Sequence, residues 1–307
     1  MPDTVIIEAA LNGGRTRAEH PGVPLTAQEL AAEARRCADA GASVVHVHAR
    51  GRAGGWTASP MAYRRVIVAI RAAAPDVLIS ITSLRPQGVA VERVRALLDA
   101  PPDALPDLIS VNLGHITSWE AARPPAPYRG PRPGGHERKT RHFPNSYDDI
   151  ALLLDACRNV GVTPELGLMD FGFISNAVTL REDGRLPAAP WFLLELDSPA
   201  FGAGTQVAPA TAANYAALSA ALREQFPGAS WAAHGAGVAT YPVMQRALED
   251  GAHVRAGFED CLQMPDGALA RSNADQVAWA AERAGEVGRR PATADEARRI
   301  IMRCDQD

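Results

Sequence analysis

Several features that would quickly assign this 307-residue chain are scarce or missing. There is no basic excess: 31 Lys and Arg face 35 Asp and Glu, a formal net charge of -4. That removes the electrostatic footprint of a nucleic-acid binder. No segment approaches the roughly 18 uninterrupted apolar residues of a membrane span. The N-terminus carries Asp3 and no long apolar run, so a secretory signal is not expected and a cytoplasmic location is. Cysteine is rare. Cys37, Cys157, Cys261 and Cys304 lie far apart without a CxxC, which excludes a disulfide scaffold and a cysteine-built zinc site. Reduced, mostly buried thiols are expected. Aromatics are only 6% of the chain. Glycine has no three-residue period, so collagen is excluded.

What is present describes a globular chain. Hydrophobic residues make up 47% and charged residues 21%, enough to build a core. Gly (26) and Pro (24) are abundant and punctuate many short elements. The pattern is a repeated strand-helix alternation. Strands are expected at Val5 to Leu11, Val44 to Arg50, Val77 to Ser83, Leu108 to Gly114, Thr163 to Asp170, Trp191 to Asp197, Ser230 to His234 and His253 to Glu259. Several are continuous apolar runs, as in sheets covered on both faces.

Helices are expected at Thr26 to Ala40, Pro60 to Ala73, Val89 to Ala100, Tyr147 to Asn159, Ser175 to Leu180, Thr211 to Phe226, Tyr241 to Asp250 and Asn273 to Ala284. Thr26 and Glu29 are spaced as a capping box, and Gly41 and Gly285 are placed as terminators. His115 to Asn145 reads as a long irregular connection, a class that is usually functional or mobile. Its basic segment contains Arg138, Lys139 and Arg141.

Eight such units fit a single (β/α)₈ TIM barrel over residues 1–307, with a helical extension after Arg290. A doubly wound open sheet is the competing fold. The missing GxGxxG after the first strand weighs against its nucleotide-binding form. Barrel chemistry gathers at the C-terminal strand ends. The polar residues there include Asn12, His46, His48, Arg50, Thr82, Ser83, Asn112, His115, Glu165, Asp170, Glu195, Asp197, His234, Arg255, Glu259 and Asp260.

His46 and His48 alternate on one strand and so share a face. Two imidazoles converging there suit a divalent metal such as zinc. The competing reading is a histidine pair bonded to barrel carboxylates. Strand eight supplies Glu259 as a third ligand, an open set suited to catalysis. His234 is a competing or fourth ligand, or it holds a carboxylate or a loop. Arg255 shares the parity of Glu259, and Gly257 between them leaves room for close approach. Asp260 has the opposite parity but lies where the strand breaks, so it can turn inward as a general base. An Arg-carboxylate pair closing the barrel wall is the alternative. Arg50 is either an ion-pair partner or an anion clamp.

Thr82, Ser83, Asn12 and Asn112 suit carboxylate or carbonyl recognition. Arg15 and Arg85 suggest an anionic substrate or a coenzyme phosphate, with solvated surface as the alternative. Trp191 and Trp231 read as core.

These segments resemble the β-keto acid cleavage enzyme family. The likeness rests on Gly41-Ala42-Ser43-Val44-Val45-His46-Val47-His48-Ala49-Arg50, Thr163-Pro164-Glu165 and Gly251-Ala252-His253-Val254-Arg255-Ala256-Gly257-Phe258-Glu259-Asp260, followed by Arg271-Ser272-Asn273-Ala274. It implies a TIM barrel binding one divalent cation, usually zinc, and a homo-oligomeric assembly. It also implies conversion of a β-keto acid and acetyl-CoA into acetoacetate and a new acyl-CoA. By resemblance, His46, His48 and Glu259 are the metal ligands, Asp260 is the base and Arg255 orients it. Thr82, Ser83 and Ser110 stand where family hydroxyls hold substrate. A barrel aldolase or hydrolase acting without CoA is the alternative.

Three positions depart from the family pattern. Leu84-Arg85 replaces a glycine pair, Arg15 stands near a family member's glutamate, and Gly167 replaces an acidic residue. They point to a neutral or anionic β-keto acid rather than an amino substrate.

Overall fold

A computed structural model describes residues 3–51, 54–83, 99–121, 138–197 and 207–302. Arg85, Cys304 and most of the helix expected at Val89 to Ala100 lie outside them.

Eight parallel strands close into a barrel in chain order. They are β1 (Ile7–Ala10), β2 (Val44–Val47), β3 (Leu78–Ile81), β4 (Leu108–Asn112), β5 (Thr163–Leu168), β6 (Trp191–Glu195), β7 (Ser230–His234) and β8 (His253–Ala256). The helices are α1 (Ala27–Asp39), α2 (Pro60–Ala73), α3 (Tyr147–Val160), α4 (Phe171–Glu182), α5 (Ala212–Gln225), α6 (Thr240–Glu249), α7 (Asn273–Glu286) and α8 (Ala294–Ile301). The fold is a (β/α)₈ TIM barrel, with α8 as the C-terminal extension.

Local chemistry explains the boundaries. Thr26 and Glu29 form the capping box that opens α1, and Ser146 with Asp149 does the same for α3. Each cap satisfies amides the helix cannot pair itself, worth about 1 kcal/mol. Helix α4 begins four residues before its expected start because Asp170 accepts a hydrogen bond from the Phe173 amide. Asp170 is therefore an N-cap, not a free strand-end group. Helix α7 runs through Gly285, and Gly288 (φ +76°) instead takes the left-handed turn beyond it. The segment expected to be irregular contains an antiparallel hairpin, Ile116–Ala121 paired with Arg138–Phe143.

Among the described residues the core has two main clusters, besides a small one of Val23, Phe258 and Ala270. The larger lies between strands and helices, where outward residues such as Val45, Val47, Ile79, Ile81, Ile109 and Val111 meet the helix faces. Cys37 and Cys157 are buried, free thiols in this layer, and Cys261 joins them. Inside the barrel, Ile6, Val44, Leu78, Leu108 and Trp191 form an apolar layer. Ala292, Ala297 and Ile301 close it from below. Trp191 and Trp231 are core residues, as expected.

Above this layer the inward positions turn polar. Register places Arg255 beside Glu8, His46 beside Ser80, Ser110 beside Glu165 and Glu195 beside His234. An apolar floor and a polar upper barrel put the chemistry at the C-terminal end. Among the described residues, no helix is long and apolar enough to cross a membrane.

Candidate metal and catalytic centre

His46 sits on β2 and His48 just beyond its end. Their Nε2 atoms face each other at 3.2 Å. Glu259 completes the group, with Oε1 3.2 Å from His48 Nε2 and Oε2 3.8 Å from His46 Nε2. Ligand atoms of all three residues fall within 4.8 Å of one another. The Glu259 Oε2 atom is buried and accepts no hydrogen bond among the described residues. Two imidazole nitrogens and an unsatisfied carboxylate oxygen aimed at one point fit a divalent cation.

Electrostatics favour the ligand-competent forms. Burial drives the His46 pKa well below its ordinary value, against Glu259 and with help from nearby Arg255. Burial alone would raise the Glu259 carboxyl, but Arg255, His48 and His46 hold it well below the usual range. The pair is thus a neutral imidazole beside a carboxylate, the states that bind metals.

The backbone brings Glu259 and Asp260 to the same place. Strand β8 ends at Ala256, three residues before its expected end, because Gly257 (φ +151°) turns the chain. A side chain at 257 would overlap the Ala10 carbonyl, and one at Gly13 would overlap Glu259. Strand parity therefore does not apply to Glu259 and Asp260. The turn is pinned by Glu259 N donating to Ala10 O at 3.1 Å and Phe258 N donating to Asn273 Oδ1 at 2.7 Å.

Arg255 is the hub. Its Nε and Nη2 donate to the two Asp260 oxygens at 3.0 Å each. Nη2 also lies 3.0 Å from Glu259 Oε1. Burial opposes its charge, but Asp260, Glu259 and Glu8 keep the guanidinium firmly protonated. His234 is not in the candidate ligand group. Its Nδ1 is 3.3 Å from Asp260 Oδ1 and its Nε2 is 3.6 Å from Glu195 Oε2. Burial would lower its pKa, yet Asp260 and Glu195 raise it above the ordinary histidine value. Of the two sequence readings of His234, the structure shows the one that holds a carboxylate.

The expected substrate residues separate into two sets. Thr82, Ser83, Ser110 and Asn112 gather at the ends of β3 and β4, all buried. The Ser83 amide donates to Ser110 Oγ at 3.3 Å. Asn12 instead ties β1 to β2: its amide donates to the carbonyls of Pro24 and His48 and accepts from the His48 amide. Glu165 lies deeper, accepting from Ser80 Oγ at 3.2 Å and Trp191 Nε1 at 3.1 Å. Arg15 spends Nε on the carbonyls of Phe258 and Glu259 and Nη1 on Glu19. Among the described residues Arg50 forms no ion pair. It donates to the carbonyls of Gly13, Arg15 and Gly54, and burial lowers its pKa.

Sequence reasoning missed Glu8. It is fully buried on β1, and burial together with nearby Glu165 raises its pKa well above the usual range. A second possible ligand group, Glu8, His46 and Glu165, lies beneath the first. The available signal was a lone carboxylate inside the apolar run from Val5 to Leu11. Ser80 was missed too. Its hydroxyl links His46 Nδ1, at 2.9 Å, to Glu165.

Residues 4–302 match the model of the beta-keto acid cleavage enzyme family. This chain belongs to that family. It is 31% identical to the 3-keto-5-aminohexanoate cleavage enzyme of Fusobacterium nucleatum, over 98% of both chains. It is 27% identical to the 3-oxoadipate:acetyl-CoA acetyltransferase of Cupriavidus necator, over 98% of this chain and 95% of the relative. Among solved structures it resembles apo ObcA, with a TM-score of 0.72 and 18% identity. That likeness covers 92% of this chain and 66% of ObcA, so this chain spans just under two thirds of that protein. It bears on the fold alone. Family membership and the candidate metal site together support metal-assisted cleavage of a β-keto acid.

Proposed function

We propose that this chain is a β-keto acid:acetyl-CoA acyltransferase that forms acetoacetate and a new acyl-CoA, with residues 1–307 acting as one catalytic domain. One observation carries the reading. A three-residue ligand group and a second carboxylate meet at one arginine, with Arg255 3.0 Å from both Glu259 and Asp260. Relatives whose names specify acetyl-CoA, acting on 3-oxoadipate and on 3,5-dioxohexanoate, support the co-substrate.

His46, His48 and Glu259 would hold the cation, zinc by the family resemblance. When bound, it would supply Lewis acidity toward the ketone oxygen of the substrate. Asp260 takes the proton from the carbon between carboxylate and ketone. Arg255 fixes both Asp260 oxygens and keeps the base aimed. The resulting enolate attacks the thioester carbonyl. The released thiolate attacks the original ketone, the carbon–carbon bond breaks to give the new thioester, and Asp260 returns its proton to the departing carbanion to give acetoacetate. Thr82, Ser83, Ser110 and Asn112 offer hydroxyls, amides and a backbone N–H to the carboxylate and carbonyl groups. Arg15, paired with Glu19, serves the loop that carries Glu259. The substrate tail is neutral or anionic in this reading.

The test is acetyl-CoA-dependent acetoacetate formation by the zinc-loaded protein across a panel of β-keto acids. Turnover is expected for at least one. Stoichiometric metal with no turnover of any would overturn the reading. Cleavage without acetyl-CoA would replace it with a barrel aldolase or hydrolase. Size-exclusion chromatography with light scattering tests the homo-oligomer implied by the resemblance.

A further inference from the structure

We propose that His234 and Glu195 are a positioning pair for Asp260, seated in a notch that glycine at position 167 leaves open. The proposal rests on the reading of Asp260 as the base.

His234 is fully buried at the end of β7. An imidazole in such a place needs partners, because burying an unpaired polar group is costly. Its Nδ1 lies 3.3 Å from Asp260 Oδ1 and 3.3 Å from the Gly235 carbonyl. The Gly235 carbonyl can only accept, so the geometry places a proton on Nδ1. Nε2 lies 3.6 Å from Glu195 Oε2, an ion-pair distance, and makes no hydrogen bond among the described residues. The result is a carboxylate–imidazole–carboxylate row running from β6 through β7 to the end of β8.

The row complements Arg255. The guanidinium grips Asp260 from its own segment of chain. His234 approaches Oδ1 from the neighbouring strand. Held from two elements, the carboxylate cannot swing about its side-chain bonds, which is what a base aimed at one C–H bond requires. Glu195 in turn orients the ring, as outer partners orient ligands and bases elsewhere.

Gly167 explains how Glu195 reaches this place. It lies on β5, between β4 and β6. A Cβ there would overlap Glu195 Oε1 and Asn112 Oδ1 together. Two polar tips from flanking strands thus lean over a residue with no side chain. Any larger residue at 167 would displace both.

The experiment compares the metal-loaded wild type with His234→Ala, His234→Asn, Glu195→Gln and Gly167→Ala. Readouts are kcat and KM, bound metal, and deuterium exchange at the carbon between carboxylate and ketone without acetyl-CoA. His234→Ala is expected to lower kcat and exchange about 10- to 100-fold, with KM and metal content unchanged. His234→Asn, whose amide still donates to Asp260, should recover part of the loss. Gly167→Ala should match or exceed Glu195→Gln. Unchanged kcat in both His234→Ala and Glu195→Gln would overturn the proposal. So would a loss of metal in step with activity.

A proton NMR spectrum of ¹⁵N-histidine-labelled protein reads the contact without turnover. A downfield Nδ1–H signal that disappears in His234→Asn and shifts in Asp260→Asn is expected. Its absence in the wild type overturns the pair. Its presence in a protein inert toward every β-keto acid supports the pair and overturns only the proposed reaction.

Discussion

Asp260 and Glu259 are adjacent in sequence and held by one guanidinium, yet their proposed tasks differ. Glu259 presents a buried oxygen without a hydrogen bond to the two imidazoles. Both Asp260 oxygens are occupied by Arg255. Two substitutions separate the roles. Asp260→Asn should retain metal by elemental analysis and lose about 10²- to 10⁴-fold in kcat. Glu259→Gln should lose metal first, and activity with it. At this scale the sequence was informative. His46, His48, Arg255, Glu259 and Asp260 could all be picked out, because clustered titratable side chains near strand ends have few other uses. Asn12 and Arg15 were harder to place. Their residue types suit substrate contacts, but here they bind backbone carbonyls, and only the fold decides which partner is near.

The element that decides the site is the turn after β8. Gly257 adopts a conformation other residues avoid and sits against the Ala10 carbonyl. Gly257→Ala combines backbone strain with overpacking, each costing about 1–3 kcal/mol. Its urea midpoint should fall well below wild type, and kcat should fall further than stability explains because Glu259 and Asp260 both shift. The start of α1 was legible from the Thr26 and Glu29 capping box. Strand ends were less so. The expected β8 ran to Glu259 because a chain with apolar periodicity does not show where a glycine will turn it. The helix end at Gly285 failed for a related reason: an isolated glycine is tolerated inside a helix when the next one terminates it.

Across the whole molecule, the floor and mouth of the barrel are separate. Ile301 packs into the apolar floor with Trp191, Leu78 and Leu108, away from the polar end. Ile301→Ala should cost about 2–5 kcal/mol in denaturant unfolding and leave kcat and KM unchanged. Acid stability has its own address near the floor. His253 accepts a hydrogen bond from the Ile6 amide, and burial together with Arg289 lowers its pKa to about 3. A histidine depressed in the folded state stabilises the fold above its unfolded pKa of about 6.5 and loses that contribution as pH falls toward about 3. Between those values the loss approaches about 1.4 kcal/mol per pH unit. Thermal unfolding from pH 7 to pH 4 should show His253→Asn with a shallower acid dependence than wild type.

Sequence alone determined the alternation of strands and helices, and with it the barrel, because apolar runs and capping residues act locally. It also named most of the chemistry-bearing residues, though not Glu8 or Ser80, because such types are too costly to bury without purpose. The tertiary structure decided which of them meet. Closure of the barrel places Glu8, Glu195 and His234 around Arg255 and Asp260, and Glu165 beside Glu8 and His46, from strands far apart in the chain. Distances across a closed sheet depend on register and on the turn at Gly257, and neither is written in a local pattern.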